Sequence, residues 1–151
     1  GPNGSYVPDP NADWHLFAGD ETALPSISVS LEALGPDSHC VVFLVVDSQE
    51  FEVPVTSDAS VDFKWLHRES TLEPSNLLLN AISEFEFASE NFDIFVHGEA
   101  SEVRELRRYL VSEYSVDPKT ASISPYWRRN HTDEAWREVK KEWLSDQEND
   151  I

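Results

Sequence analysis

Apolar positions along this chain switch repeatedly between strand-like runs and helical spacing. Trp14-His15-Leu16-Phe17-Ala18 reads as a short strand running straight into Gly19-Asp20-Glu21-Thr22. Residues 22–34 follow with Leu24, Ile27, Leu31 and Leu34 at helical spacing; Pro25 is tolerable in the first turn, and Gly35-Pro36 stops the helix. Residues 40–46 are apolar throughout, as expected of a strand buried on both faces of a parallel sheet. Residues 51–55 and 61–66 are shorter strand candidates separated by a polar loop. A helix over 75–85 places Leu78, Leu79, Ile82 and Phe85 on one side, and the strand 92–96 ends in His97-Gly98-Glu99. Over 101–113, Val103, Leu106, Leu110 and Val111 form an apolar stripe, with Arg104, Arg107 and Arg108 on the polar side. Residues 121–124 give a last short strand. The amphipathic helix 132–145 is capped by Thr132 and shows Trp136, Val139 and Trp143 on one face; residues 146–151 are expected to fray.

Strands alternating with helices predict an α/β fold, a three-layer parallel sheet flanked by helices and joined by right-handed crossovers. Ligands of such sheets bind beyond the carboxyl ends of the strands, where the strand order reverses. The strand-to-helix turns are therefore where chemistry is to be sought.

A chain of 151 residues suits one domain with a real core. Its longest apolar run, Val41 to Val46, is far too short to span a bilayer, and no basic segment precedes an apolar one at the start, so neither a membrane span nor a secretory signal is expected. Methionine is absent, even at position 1, which places the start inside a longer protein or after processing. The single cysteine, Cys40, cannot form an internal disulfide and opens an apolar run; it is read as a packing residue of a protein in the reducing cytoplasm.

Charge changes the picture more. With 29 acidic and 11 basic residues the formal net charge is −18. Such a surface repels phosphate backbones and anionic lipid, which argues against nucleic acid and membrane as partners. An anionic ligand must then be met by a local gathering of the few cations.

Four turns could provide one. Gly19 lets the backbone bend at a strand end, and the N–H groups of the following helix attract anions, although Asp20 and Glu21 read equally well as helix caps. Lys64-Trp65-Leu66-His67-Arg68 combines a guanidinium for phosphate with a ring for stacking; a surface strand with Trp65 in the core explains it as well. Gly98-Glu99-Ala100 repeats the glycine turn beside His97, which reads better as a structural histidine than as a catalyst, and Arg104, Arg107 and Arg108 after it read as a solvated face. Tyr126-Trp127-Arg128-Arg129 can cover a nucleotide or merely pack the last helix down. The histidines lack ligand spacing and no CxxC exists, so no metal site is expected, and no Ser-His-Asp or nucleophile-elbow pattern appears.

In this order the four turns resemble the siderophore-interacting protein family. Trp14-His15-Leu16-Phe17-Ala18-Gly19-Asp20-Glu21-Thr22-Ala23-Leu24-Pro25 is similar to its most distinctive signature, and Trp65-Leu66-His67-Arg68, Gly98-Glu99-Ala100 with Arg104 to Leu110, and Tyr126-Trp127-Arg128-Arg129 to three others. Gly1-Pro2-Asn3-Gly4 resembles the family's segment at the end of the flavin domain. The resemblance covers nearly the whole chain, and its heptapeptide GDETALP is far more specific than a lone glycine pair.

The resemblance implies a ferredoxin-reductase-like nucleotide-binding domain. Residues 1–13 would follow a flavin-binding β-barrel that this sequence lacks, 14–145 would bind NADPH or NADH, and 146–151 would be a tail. Hydride would pass to FAD, which delivers electrons singly to a ferric siderophore in the cytoplasm. By motif, Gly19, Asp20, Glu21 and Thr22 would line the nicotinamide side of the cleft. Arg68, with Trp65 and Lys64, would face the adenosine phosphate. Gly98 and Glu99 would sit near the nicotinamide–flavin junction, and Tyr126, Trp127 and Arg128 near the flavin or domain interface. No residue is carried over as catalytic. Asn130 departs from the family, which commonly has glycine there. Without the flavin domain the chain is not expected to reduce iron by itself. Two other readings stay open: a non-catalytic nucleotide-binding or regulatory module that kept the fold, and an acidic interaction protein whose aromatics pack a partner.

Overall fold

In the computed structural model, which describes residues 6–150, five parallel strands form one sheet in the order β3-β2-β1-β4-β5. The strands are β1 (Trp14–Asp20), β2 (His39–Val46), β3 (Ser60–His67), β4 (Phe92–Glu99) and β5 (Ser122–Trp127). The helices are α1 (Leu24–Ala33), α2 (Leu77–Glu84), α3 (Ala100–Tyr114) and α4 (Asp133–Glu148). The chain winds outward from β1 to β3, crosses back to β4 and winds outward again, so the strand order reverses between β1 and β4.

Side chains alternate across the pleat and build two cores. Leu16, Ala18, Phe43, Val45, Ile94 and Val96 pack with Leu78 and Ile82 of α2 and with Val103, Leu106 and Leu110 of α3. On the opposite face Phe17, Val42, Leu44, Val46 and Phe95 pack with Ala23 and with Ile27 and Leu31 of α1. Ile27, Leu31, Leu106 and Leu110 are wholly buried, each contributing about 1.5–3 kcal/mol of hydrophobic stabilisation. Beside α1, Tyr6 covers Phe17 and Phe95 edge-on and donates its hydroxyl to Asp93 Oδ2 at 2.6 Å. Cys40 is buried, as its apolar setting predicts.

Three local expectations are corrected. Residues 51–55 form no strand: a short 3₁₀ turn, Gln49–Phe51, leads into irregular chain, and Phe51 and Val53 stay half exposed because no neighbouring strand reaches them. Arg107 is not on a solvated face; it is buried and donates through Nη1 to the Gln147 carbonyl at 2.7 Å. Nor does the chain fray after 145. Helix α4 continues to Glu148, and Arg104 takes Asp150 in a two-pronged grip, Nε to Oδ2 at 2.6 Å and Nη2 to Oδ1 at 2.8 Å, with Arg108 Nη2 adding a contact at 3.1 Å. Cations belong at a helix C-terminus, where carbonyls lack partners, and the arginines of α3 supply them to α4. Gly1-Pro2-Asn3-Gly4 and Ile151 lie outside the described residues.

Gly19 is set where β1 and β4 come closest. A Cβ there would stand 2.4 Å from the His97 carbonyl oxygen and 2.9 Å from the Ala23 Cβ. Because the first obstacle is backbone, Gly19→Ala is expected to lower the unfolding free energy by about 1–3 kcal/mol, the usual size of overpacking in a dense core. Urea denaturation measures it, and a change below about 0.5 kcal/mol, normal for harmless substitutions, would show that the two strands can part.

Candidate functional site

Since all strands are parallel, their carboxyl ends share one edge of the sheet, and it carries Asp20, Asp47, Arg68, Glu99 and Trp127. At the β1–β4 reversal Asp20 is 4% exposed. Its Oδ1 accepts the Thr22 N–H at 2.9 Å and a short bond from the Thr22 hydroxyl; its Oδ2 accepts the Trp127 Nε1–H at 2.9 Å. Gly98 presses on the same carboxylate, for a Cβ there would lie 2.9 Å from Asp20 Oδ2. Asp20, Thr22, Gly98 and Trp127 thus form one cluster, with Gly19 directly behind.

Glu99 is 1% exposed and caps α3, Oε1 accepting from the N–H groups of Ser101 and Glu102 at 3.0 and 3.1 Å. Its Oε2 accepts the Arg129 N–H at 3.1 Å, and the Arg129 guanidinium reaches Glu99 and Glu102 at 3.4 and 3.1 Å. Burial pushes the Glu102 carboxyl up to about 7; Arg129 opposes the shift and Glu99 and Asp20 add to it. Sequence reasoning passed over Glu102 and Arg129 as a partnership. Its trace is the i,i+3 spacing of Glu99 and Glu102, which puts both acids at the start of one helix.

The amides that an anion would need are largely taken. At α1, the Thr22 N–H binds Asp20 Oδ1, those of Ala23 and Leu24 bind the carbonyls of Asp20 and Glu21, and Pro25 has none. At α3, Glu99 plays the same part. Of the two readings of the acids in these turns, a helix cap forms at Glu99, whereas Asp20 bonds the Thr22 amide in the turn before α1 and Glu21 pairs with Arg68.

Arg68 follows β3 and spans the ends of three strands. Its Nη2 meets Glu21 Oε2 at 2.7 Å and its Nη1 meets Asp47 Oδ1 at 2.8 Å. Burial works against its charge, but these two carboxylates outweigh burial and raise its pKa. Lys64 and Trp65 do not gather around it. Trp65 stacks on Phe63 at 5.1 Å in the α1-side core, whereas Lys64, one residue earlier and so on the opposite face, pairs with Asp62 at 3.2 Å and lies over Phe85. Tyr126 is half exposed, edge-on to His97, while Arg128 leaves the cluster to lie over Trp143 of α4, 4.8 Å from its ring centre. His97 donates to or accepts from Ser122 at 2.8 Å and stacks on Phe95; burial pushes it down to about 4, so it is neutral and structural near pH 7. Asn130 takes φ 65°, the left-handed conformation that glycine favours and asparagine tolerates, so the turn keeps the backbone a glycine would give.

A cleft of about 570 Å³ lies at the other edge of the sheet, bounded by Tyr6, Glu90, Asp93, Ser115 and Thr120. The strands' amino ends lack the convergent glycine turns and helix starts found opposite, so the chemistry favours the carboxyl edge. Among the described residues, no helix is long and apolar enough to cross a membrane.

Comparison with known proteins identifies the family. A family model described as siderophore-interacting protein matches residues 12–130. The chain is 41% identical to an uncharacterized protein of Mycobacterium tuberculosis over 94% of its own length and 54% of that protein. It is 34% identical to the ferric vibriobactin reductase ViuB of Vibrio cholerae over 93% of its length and 52% of the reductase. The crystal structure of the siderophore-interacting protein SipS from Aeromonas hydrophila superposes with a TM-score of 0.77 at 25% identity, covering 89% of this chain and 53% of that one. The chain therefore spans about half the length of the relatives it matches.

Glu102 makes the site sensitive to pH. Its folded pKa stands above the ordinary carboxyl value of 4.5, so its stabilising effect is complete below that value and is lost as pH rises through about 7. Between pH 5 and 8 this group is expected to remove on the order of 2–3 kcal/mol of stability. Glu102→Gln, which cannot ionise, should flatten that slope in urea denaturation at pH 5, 6.5 and 8. Parallel slopes in the two proteins would rule the assignment out.

Proposed function

The chain belongs to the siderophore-interacting protein family, and from that membership we propose that it is the NAD(P)H-binding half of a flavin-dependent ferric-siderophore reductase. In this reading FAD is held mainly by a domain outside this sequence, residues 1–13 follow that domain, and the assembled protein works in the cytoplasm. The observation that carries it is the strand-order reversal between β1 and β4, where Gly19 and Gly98 bring two backbones together beside Asp20, Thr22, Glu99 and Trp127.

The residues fit a nicotinamide better than a phosphate at that point. Asp20 holds the Thr22 amide in the turn before α1 and Glu99 caps α3, leaving little for an anion. A carboxamide and a ring that turns cationic on losing hydride suit a lip of carboxylates instead. In the proposal Gly19, Asp20, Glu21 and Thr22 border the nicotinamide side, Gly98 and Glu99 lie toward the flavin, and Tyr126 and Trp127 form the wall from β5. Arg68, which Glu21 and Asp47 hold at the ends of β1 and β2, takes the adenosine end, and Trp65 and Lys64 support it from β3 rather than touching the ligand. Arg128 contributes by holding α4 through Trp143.

Bound together, nicotinamide and flavin would supply hydride transfer and its division into single electrons for the ferric siderophore. The chain's own part is to orient, to exclude water and to hold charge. Trp127 fixes the Asp20 carboxylate, Glu99 fixes the start of α3, and Glu102, protonated below about pH 7, keeps a proton within the acidic cluster.

Titrating the ¹⁵N-labelled chain with NADH and NADPH tests this without iron chemistry. Amide shifts are expected at residues 19–22, 68, 98–99 and 126–127; shifts confined to residues 90–93 and 115–122 would overturn the reading. In parallel, the purified chain is expected to leave ferric siderophore unreduced in the presence of NADPH until a flavin-bearing partner domain is added. Reduction without flavin would contradict the proposed division of labour.

A further inference from the structure

The adenosine end of the proposed cleft carries more information than its one arginine. Arg68 is the cation at the carboxyl edge of β1, β2 and β3, and it is already doubly engaged, by Glu21 at 2.7 Å and Asp47 at 2.8 Å. Each bond is charge-assisted, and the guanidinium is only 20% exposed, whereas Glu21 and Asp47 are 52% and 68% exposed. Around this clasp the edge is acidic. Glu50 and Glu69 border an open depression with Ser48 and Gln49, and Glu52 binds His67 Nε2 at 2.6 Å.

From this arrangement we infer that the Glu21–Arg68–Asp47 clasp selects NADH over NADPH. The inference rests on the nucleotide reading above and adds to it a choice of cofactor. The two dinucleotides differ only at the adenosine ribose, which carries a 2′-hydroxyl in one and a 2′-phosphate in the other. An exposed carboxylate accepts a hydrogen bond from a hydroxyl, so Asp47 can receive the ribose without giving up Arg68. A phosphate monoester brings about 1.5–2 negative charges at neutral pH. To reach Arg68 it would have to displace at least one carboxylate, leave that charge unpaired and remain beside Glu50 and Glu69. Discrimination of this kind works by making the wrong ligand meet uncompensated like charge. A free guanidinium at this place would have argued for NADPH; one held between two acids argues for NADH.

Binding to the chain measured by titration calorimetry at about 50 mM salt, where screening is weak, decides the matter. NADH is expected to bind about tenfold or more tighter than NADPH, a margin in keeping with the cost of like charges brought together. The doubly substituted chain Glu21→Gln, Asp47→Asn should release Arg68 and raise NADPH affinity about tenfold, narrowing or reversing the gap. Both replaced side chains are more than half exposed, so the fold should survive, and circular dichroism checks it. NADPH binding as tightly as NADH to the parent chain would overturn the choice of cofactor while leaving the nucleotide site standing, as would unchanged NADPH affinity in the variant. Binding of neither dinucleotide at millimolar concentration would overturn this inference together with the reading beneath it.

Discussion

The Asp20 carboxylate is the contact on which the carboxyl edge depends. A carboxylate removed from water is costly unless its oxygens are satisfied, and this one is satisfied from two directions, with a third strand pressed against it. Thr22 bonds it from the start of the turn before α1, Trp127 bonds it from the end of β5, and Gly98 approaches it from β4 because no side chain intervenes. Strands β1, β4 and β5 are thereby tied at the level where their order reverses, in addition to their ladders. Gly19 and Gly98 have one physical reason in common: each removes a Cβ that would collide with a neighbouring strand or with the tie itself.

A second carboxylate, Glu99, repeats the device one strand over. It caps α3 and, through Arg129, fastens the chain beyond β5. The result is an edge whose helix starts are internally neutralised. In dinucleotide-binding sheets built on a glycine-rich loop, the pyrophosphate rests on the first helix's amide groups; here Asp20 holds the Thr22 amide in the turn before α1, and Pro25 removes one amide of the helix itself. A ligand's negative charge is thus directed away from the reversal point and toward Arg68, while neutral or cationic groups are accepted at the reversal point itself. The separation of the two along one edge suits an elongated ligand with chemically different ends.

Much of this was legible in the chain because each signal was local. The unbroken apolar run ending at Val46, the alternation of strand and helix, and the glycines at 19 and 98 located all five strands and the two turns that matter. What was not legible depended on partners distant in sequence. Asp20 and Trp127 are 107 positions apart, and nothing in either segment announces the bond. Lys64 and Trp65 looked like companions of Arg68 because they adjoin it in sequence, but the pleat sends consecutive side chains to opposite faces. Arg107 looked solvated because its partner, the Gln147 carbonyl, belongs to α4, the last helix of the chain. The irregular stretch 51–55 looked like a strand because its apolar residues alternate, yet the edge of the sheet is already completed by β3.

That last helix also bears on the charge. Every arginine whose side chain is described is spent within the fold: Arg68 on Glu21 and Asp47, Arg104 and Arg108 on Asp150, Arg107 on the Gln147 carbonyl, Arg129 on Glu99 and Glu102, and Arg128 over the Trp143 ring, which Arg104 also approaches. Among the described side chains, therefore, no displayed guanidinium patch offsets the formal charge of −18. Surface pairs of this kind add little stability individually, so their consequence is mainly one of field. Cations that might have drawn anions to the surface are instead used to hold α4 to α3 and β3 to β1. An anionic ligand must approach against that field and be retained by shape and hydrogen bonding more than by attraction. A site built this way discriminates strongly against each additional negative charge, and the acidic balance of the whole chain and the clasp around Arg68 act in the same direction.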